Sequence, residues 1–330
     1  DMNHGARTFI LTGLVVVVLL ALHQLPTIYL NDSEMRHVNI LSDIIPEVYG
    51  NSETEDTIPL LKEVPDSVAQ ADTVSIPSRQ VIPDGVTMID DYSGGAPGGM
   101  RHFYEMLNCV KSLGRPVRIA YFGDSFIEGD ILTCDIRERL QRRFGGNGVG
   151  WVDCGNKING FRPTISQKFS GFSGYEVVKK PYNHNNAGIN QRYFIPSENA
   201  VVWTGGTKYR KHSSGWNVAR LFLRTGSGLS LHTSINGKSE TVRVIDSASV
   251  VRMIEDRDSM RNISYRFTGV GHDTFIYGMA LESDYGVVLD NFSMRGSAGF
   301  TIANIPHSVL ADFARLRPYD LIILHFGLNV

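Results

Sequence analysis

The chain reads as an α/β domain interrupted by an inserted antiparallel β-sandwich. Strand–turn–helix patterns stand near its middle and again at its C-terminal end. Between them runs a long stretch of short β-rich segments without clear helices.

At 330 residues the length fits two compact units with further segments attached. Hydrophobic residues make up 42% and charged ones 20%, enough apolar material for a core and too much for disorder or collagen. Thirty-two Lys and Arg against 34 Asp and Glu leave a net charge of −2. That balance, with no zinc-finger spacing, argues against a nucleic-acid partner. Cys109, Cys134 and Cys154 are too few and too scattered for a disulfide scaffold or a four-thiolate zinc site. No metal or cofactor is assigned.

Residues 1–31 read as a membrane anchor, with a cleaved signal peptide as the alternative. Thr8 to Asn31 is a run of 24 residues without Lys, Arg, Asp or Glu, and Phe9 to Leu22 is nearly continuous hydrocarbon. A bilayer takes about 20 apolar residues, so His23 to Leu30 is expected in the interfacial layer. Arg7 before the run and Asp32 and Glu34 after it predict the N-terminus inside and the bulk exported, to the periplasm or another extracytoplasmic space. The membrane is then one partner.

Residues 32–81 read as an acidic linker. Positions 32–75 hold ten acidic and two basic residues, a local balance of −8, with prolines at 46, 59 and 65. Such a segment repels itself and extends.

Residues 82–159 form the first part of the α/β domain. Met100 to Leu113 carries apolar residues at 103, 106, 107, 110 and 113, a helical spacing stopped by Gly114-Arg115-Pro116. Val117 to Phe122 is a β-rich run that meets Gly123-Asp124-Ser125. Ile131, Leu132, Ile136, Leu140 and Phe144 then mark a helix ended by Gly145-Gly146. Residues 160–284 are the inserted sandwich, with seven or so strands; Asn236-Gly237 between two alternating runs is a hairpin signal. Residues 285–330 resume the α/β pattern with a strand over Tyr285 to Phe292, an amphipathic helix over Ile302 to Leu316 and a buried strand over Tyr319 to Phe326.

Three short motifs follow the three α/β strands. Gly123-Asp124-Ser125 sits at a strand's carboxyl end just before a helix, where an open α/β sheet places its ligands. A serine there exposes its hydroxyl beside backbone N–H groups able to stabilise an oxyanion. A capping serine or a phosphate-gripping loop is the other reading. The residues after Ser125, Phe126-Ile127-Glu128, match neither a G-x-S-x-G elbow nor a Walker loop. Gly296 follows the returning strand and Asn329 the last one. Alone each is a turn residue; together they bring a nucleophile, a backbone donor and a side-chain amide to one sheet edge. Acyl transfer through a tetrahedral oxyanion needs that convergence.

The Gly123-Asp124-Ser125 block, Gly296 and Asn329 resemble the first three signature blocks of the SGNH (GDSL) hydrolases. The match covers about residues 115–155 and 285–330. The resemblance implies a flavodoxin-like three-layer fold, here C-terminally incomplete, and a carboxylic ester hydrolase. Ser125 would be the nucleophile; its N–H, the Gly296 N–H and the Asn329 carboxamide would form the oxyanion hole, with Asp124 bracing the turn. The inserted β region resembles members that remove O-acetyl groups from peptidoglycan and other polysaccharides, so an acetylated glycan is the expected partner. A non-catalytic carbohydrate-binding or scaffold protein and a polysaccharide O-acetyltransferase stand as alternatives.

The family's catalytic histidine, with an aspartate three residues before it, lies downstream of the third block. It is expected beyond Val330, in a longer form of the enzyme. Of the histidines present, His325 reads as a core or edge residue of the last strand and His307 as a residue at a helix start. His212 and His272 fall in the insertion. Trp203, Tyr209 and Trp216 are candidates for stacking on sugar rings. Asp256, Asp258 and Asp273 lack the spacing of a known calcium loop.

Overall fold

The computed structural model describes residues 99–329, preceded by Gly13, Leu14, residues 29–30 and 33–34, Asp90 and Tyr92. The chain divides into two units, Asp1–Val81 and Ile82–Val330, and every element below belongs to the second. The expected anchor and acidic linker lie almost wholly outside the described residues. Among those residues no helix is long and apolar enough to cross a membrane.

Helix α1 (Arg101–Asn108) is shorter than its apolar spacing predicts; a turn at Cys109 and Val110 ends it. Strand β1 (Val117–Gly123) follows, buried at every residue. A kinked 3₁₀ segment (Ser125–Asp130) leads into helix α2 (Ile131–Phe144). After the β-rich region come β11 (Val287–Ser293), helix α3 (His307–Leu316) and β12 (Leu321–His325). Strands β11, β1 and β12 form a parallel three-stranded sheet in that order, with Ser293 and His325 both in register with Gly123. All three carboxyl ends therefore meet at one edge.

Side chains alternate across β1, as the two-residue period requires. Val117, Ile119 and Tyr121 share a cluster with Phe103 and Leu107 of α1 and with Ile127. Ala120 and Phe122 face the other way, into a cluster with Phe292 of β11 and Val309 and Phe313 of α3.

The rest of the unit is β. Strands β2 (Gly148–Val152), β3 (Ile165–Glu176), β4 (Arg192–Gly206), β5 (Trp216–Thr225) and β6 (Leu229–Ile235) are followed by β7 (Thr241–Ile245), β8 (Ala248–Met260), β9 (Asn262–Thr268) and β10 (Thr274–Glu282). They form one nine-stranded antiparallel sheet with path β8-β5-β10-β4-β9-β6-β7, β2 pairing with β10 and β3 with β4. The expected sandwich is thus a single curled sheet. Its two halves are bonded only through the pair Ile276 and Phe194, and their inward faces pack Leu221, Leu223 and Met279 against Val202, Leu231 and Phe267. Strand β2 lies upstream of Gly160 and already belongs to this sheet. The hairpin signal holds: Asn236 and Gly237 take φ of 54° and 72°, the left-handed pair of a type I′ turn, between β6 and β7.

A buried ionic cluster joins the two sheets. Glu282 of β10 accepts from Arg118 of β1 (2.9 Å) and Arg317 after α3 (2.7 Å), and also pairs with Arg220 of β5. Arg317 further donates to Asp290 of β11 (2.6 Å), which also accepts from the Tyr319 hydroxyl (2.6 Å). Burial alone would raise the Glu282 carboxyl, but Arg317, Arg118 and Arg220 hold it well below the usual carboxylate range.

Candidate active site

Asp124 turns the chain out of β1. Buried to 2% exposure, it accepts the Phe126 N–H at 2.9 Å, an N-cap that opens the 3₁₀ segment at Ser125. Ser125 is exposed at the head of that segment. Gly123 leaves little room for a side chain, because a Cβ would lie 3.0 Å from the His325 carbonyl and the Ile127 side chain, which would have to shift.

The far end of the segment is anchored firmly. Glu128 leaves helical geometry and Gly129 and Asp130 take φ of 76° and 63°. Asp130 is buried, accepting from Thr133 (2.5 Å), Arg137 (2.5 Å), Thr164 (3.0 Å) and Arg162 (3.1 Å). Burial opposes its charge, yet Arg137 and Arg162 keep its carboxyl far below the ordinary range. Asn291 of β11 donates to the Ile127 carbonyl at 2.6 Å and to Thr133 at 2.7 Å. The loop bearing Ser125 is therefore tied to β11, α2 and the antiparallel sheet.

The second loop leaves β11. Met294 N–H donates to the Gly123 carbonyl at 2.8 Å, and Ser297 N–H closes a turn on the Met294 carbonyl at 3.0 Å. Gly296 in that turn is exposed with φ of 77°, and its N–H makes no hydrogen bond among the described residues. The third loop leaves β12. There the Asn329 carboxamide donates to Asp124 (3.3 Å) and to the Ser297 carbonyl (3.2 Å), linking the first loop to the second. Both contacts are at the long limit for such bonds, so an incoming oxyanion competes for them on good terms.

Asp124, the 294–297 turn and Asn329 thus gather at the sheet edge. A cleft of about 260 Å³ lies beside them, lined by Asp124, Phe126, His325, Phe326, Gly327 and Leu328. Of the core and edge positions expected for His325, the structure has the edge. His325 is exposed, its Nδ1 is 3.2 Å from the Tyr121 hydroxyl, and its ring is 6.1 Å from that of Phe126. Among the described residues β12 pairs with β1 alone, and its Ile322 and Leu324 are 60% and 64% exposed.

The other histidines lie elsewhere: His307 is exposed at the start of α3, His272 is exposed in a loop, and His212 is 2.9 Å from Glu138. Among the described residues no histidine is hydrogen-bonded to Ser125. Buried Cys134 and Cys154 are no rival nucleophiles: burial pushes the Cys134 thiol up to about 11 and the Cys154 thiol well above its ordinary value.

Of the aromatics proposed for sugar stacking, Trp216 is 4% exposed in the core of the curled sheet and cannot serve. The Tyr209 ring is covered by the Arg210 guanidinium 4.4 Å from its centre, and Trp203 is half-buried over Gly205. Asp256 accepts from Arg243 and Tyr265, and Asp258 from Lys238.

No family model matches the sequence, and no curated protein matches it. Among solved structures, that of a peptidoglycan O-acetylesterase matches 69% of this chain at 17% identity, with a TM-score of 0.54. The chain spans 61% of that structure's length. Family 29 and family 6 carbohydrate-binding modules also match, each over 42% of this chain, at TM-scores of 0.27 and 0.26, too low to bear on its fold. The described unit thus shares its fold with an esterase structure.

Proposed function

We propose that this chain is a serine esterase of SGNH type that removes O-acetyl groups from a polysaccharide. The observation that carries the reading is the meeting of Asp124, the 294–297 turn and Asn329 at the carboxyl ends of three parallel strands. On this reading those strands and their helices belong to a flavodoxin-like layered domain, and the likeness to an O-acetylesterase structure supports the ester chemistry.

In the proposed mechanism, the Ser125 hydroxyl oxygen attacks the ester carbonyl while a histidine takes its proton. The resemblance expects that histidine and its aspartate downstream of Asn329. The N–H groups of Ser125 and Gly296 and the Asn329 carboxamide receive the oxyanion. The sugar hydroxyl departs with a proton, and water releases acetate from the acyl-enzyme. The same proposal has the domain exported, led by the apolar run before Asn31.

The second reading, a carbohydrate-binding protein on the same fold, entails no ester turnover. One experiment separates the two. In a form of the protein extended past Val330 through the expected aspartate and histidine, turnover of nitrophenyl acetate should fall at least about 10³-fold in Ser125→Ala with the thermal unfolding midpoint unchanged. Turnover equal in both proteins contradicts Ser125 as nucleophile, and no turnover in either supports the binder.

A further inference from the structure

A groove of about 500 Å³ lies between the candidate active site and the antiparallel sheet. One end is formed by Glu128, in the segment opened by Ser125, and by Arg295, the residue before Gly296; the two form an ion pair. From there the groove runs along β3 and the start of β4. Its aromatic floor is formed by the part-buried Phe169, Phe172 and Tyr175, backed by Phe194, which is 2% exposed; a Cβ at Gly155 would come within 2.8–2.9 Å of Phe172 and Phe194. Tyr175 is stacked on Tyr193 at 4.9 Å and so is held rigid.

Its charge runs against that of the chain. Five cationic side chains line it (Lys157, Lys179, Lys180, Arg192 and Arg295) against two carboxylates. Both carboxylates are occupied, Glu128 by Arg295 and Glu176 by Lys179 and Arg192. Exposed Lys157 and Lys180 have no carboxylate partner among the described residues. A groove with a rigid aromatic floor, a cationic rim and one end at an ester-cleaving site is matched by a sugar chain bearing carboxylates. The rings lie on the aromatics and the acid groups meet the lysines.

We infer that this groove binds an anionic polysaccharide and delivers it to the Ser125 edge. This rests on the polysaccharide reading of the site and narrows it to acidic glycans. The test is calorimetric titration of the 330-residue chain with tetragalacturonate, neutral chitotetraose and tetraglutamate at low salt. Tetragalacturonate should bind at least about tenfold more tightly than either of the others, with affinity falling as salt rises. The exposed-site double variant Lys157→Glu/Lys180→Glu should lose about tenfold in that affinity with its unfolding midpoint unchanged, and Tyr175→Phe should retain it. Equal affinity for chitotetraose overturns the charge selection, and equal affinity for tetraglutamate overturns the sugar. No binding of tetragalacturonate, or full affinity in the double variant, overturns the assignment of the groove. Ester cleavage is measured separately, so loss of binding with Ser125-dependent turnover intact removes this inference and leaves the esterase.

Discussion

Asn329 is the residue through which the three loops communicate, since its carboxamide reaches both Asp124 and the Ser297 carbonyl. Its two roles make opposite demands. As a brace it should hold those contacts, and as an oxyanion donor it should release one; the 3.2–3.3 Å distances suit the second. Asn329→Ala should lower kcat for nitrophenyl acetate about 10²–10³-fold with KM nearly unchanged, the mark of a donor used in the transition state. A rise in KM with kcat intact would instead make Asn329 a binding residue. Asp124 and Asn329 were legible in the sequence because each follows a strand that hydropathy marks out. The exposure of His325 was not. An apolar run such as Tyr319 to Phe326 fixes a strand but not its neighbours, and only the sheet order shows β12 at the edge.

Among the elements, the two that sequence patterning missed, β2 and β3, are both rich in glycine. Gly148 and Gly150 of β2 take φ of 101° and 70°, and a Cβ at Gly148 would come within 2.3 Å of the Leu281 carbonyl. Glycine there admits a close backbone approach to β10, whereas composition alone reads it as a turn. In β3, Gly171 marks a bulge where the pairing with β4 shifts between Ser170 and Phe172. The seven later strands, rich in Val, Ile and Phe, were plain. The junction of the two sheets was invisible for another reason: Glu282, Arg118, Arg220 and Arg317 are far apart in sequence and meet only after folding. Glu282→Gln leaves buried Arg118 without its carboxylate, while Arg317 keeps Asp290 and Arg220 keeps Glu255. It should cost about 3–5 kcal/mol in urea unfolding, and a loss below 1 kcal/mol would show that the cluster does not hold the sheets together.

On the scale of the whole molecule, the ionic cluster fixes the parallel sheet against the curled one. Composition foretold a large core and no basic excess, but not where the charges lie; a chain of net charge −2 carries a cationic groove. The proposed export concerns the whole chain as well. Removing residues 1–31 should move the protein from the membrane fraction to the soluble one, and continued membrane association would contradict the proposed anchor. The account turns on Ser125 as an activated hydroxyl at a three-loop site. Its most direct test is reaction of a form extended past Val330 through the expected aspartate and histidine with a fluorophosphonate, followed by peptide mass spectrometry. A single adduct on Ser125, formed faster in the native than in the urea-unfolded protein, is the predicted result; no adduct, or one on another serine, would contradict it.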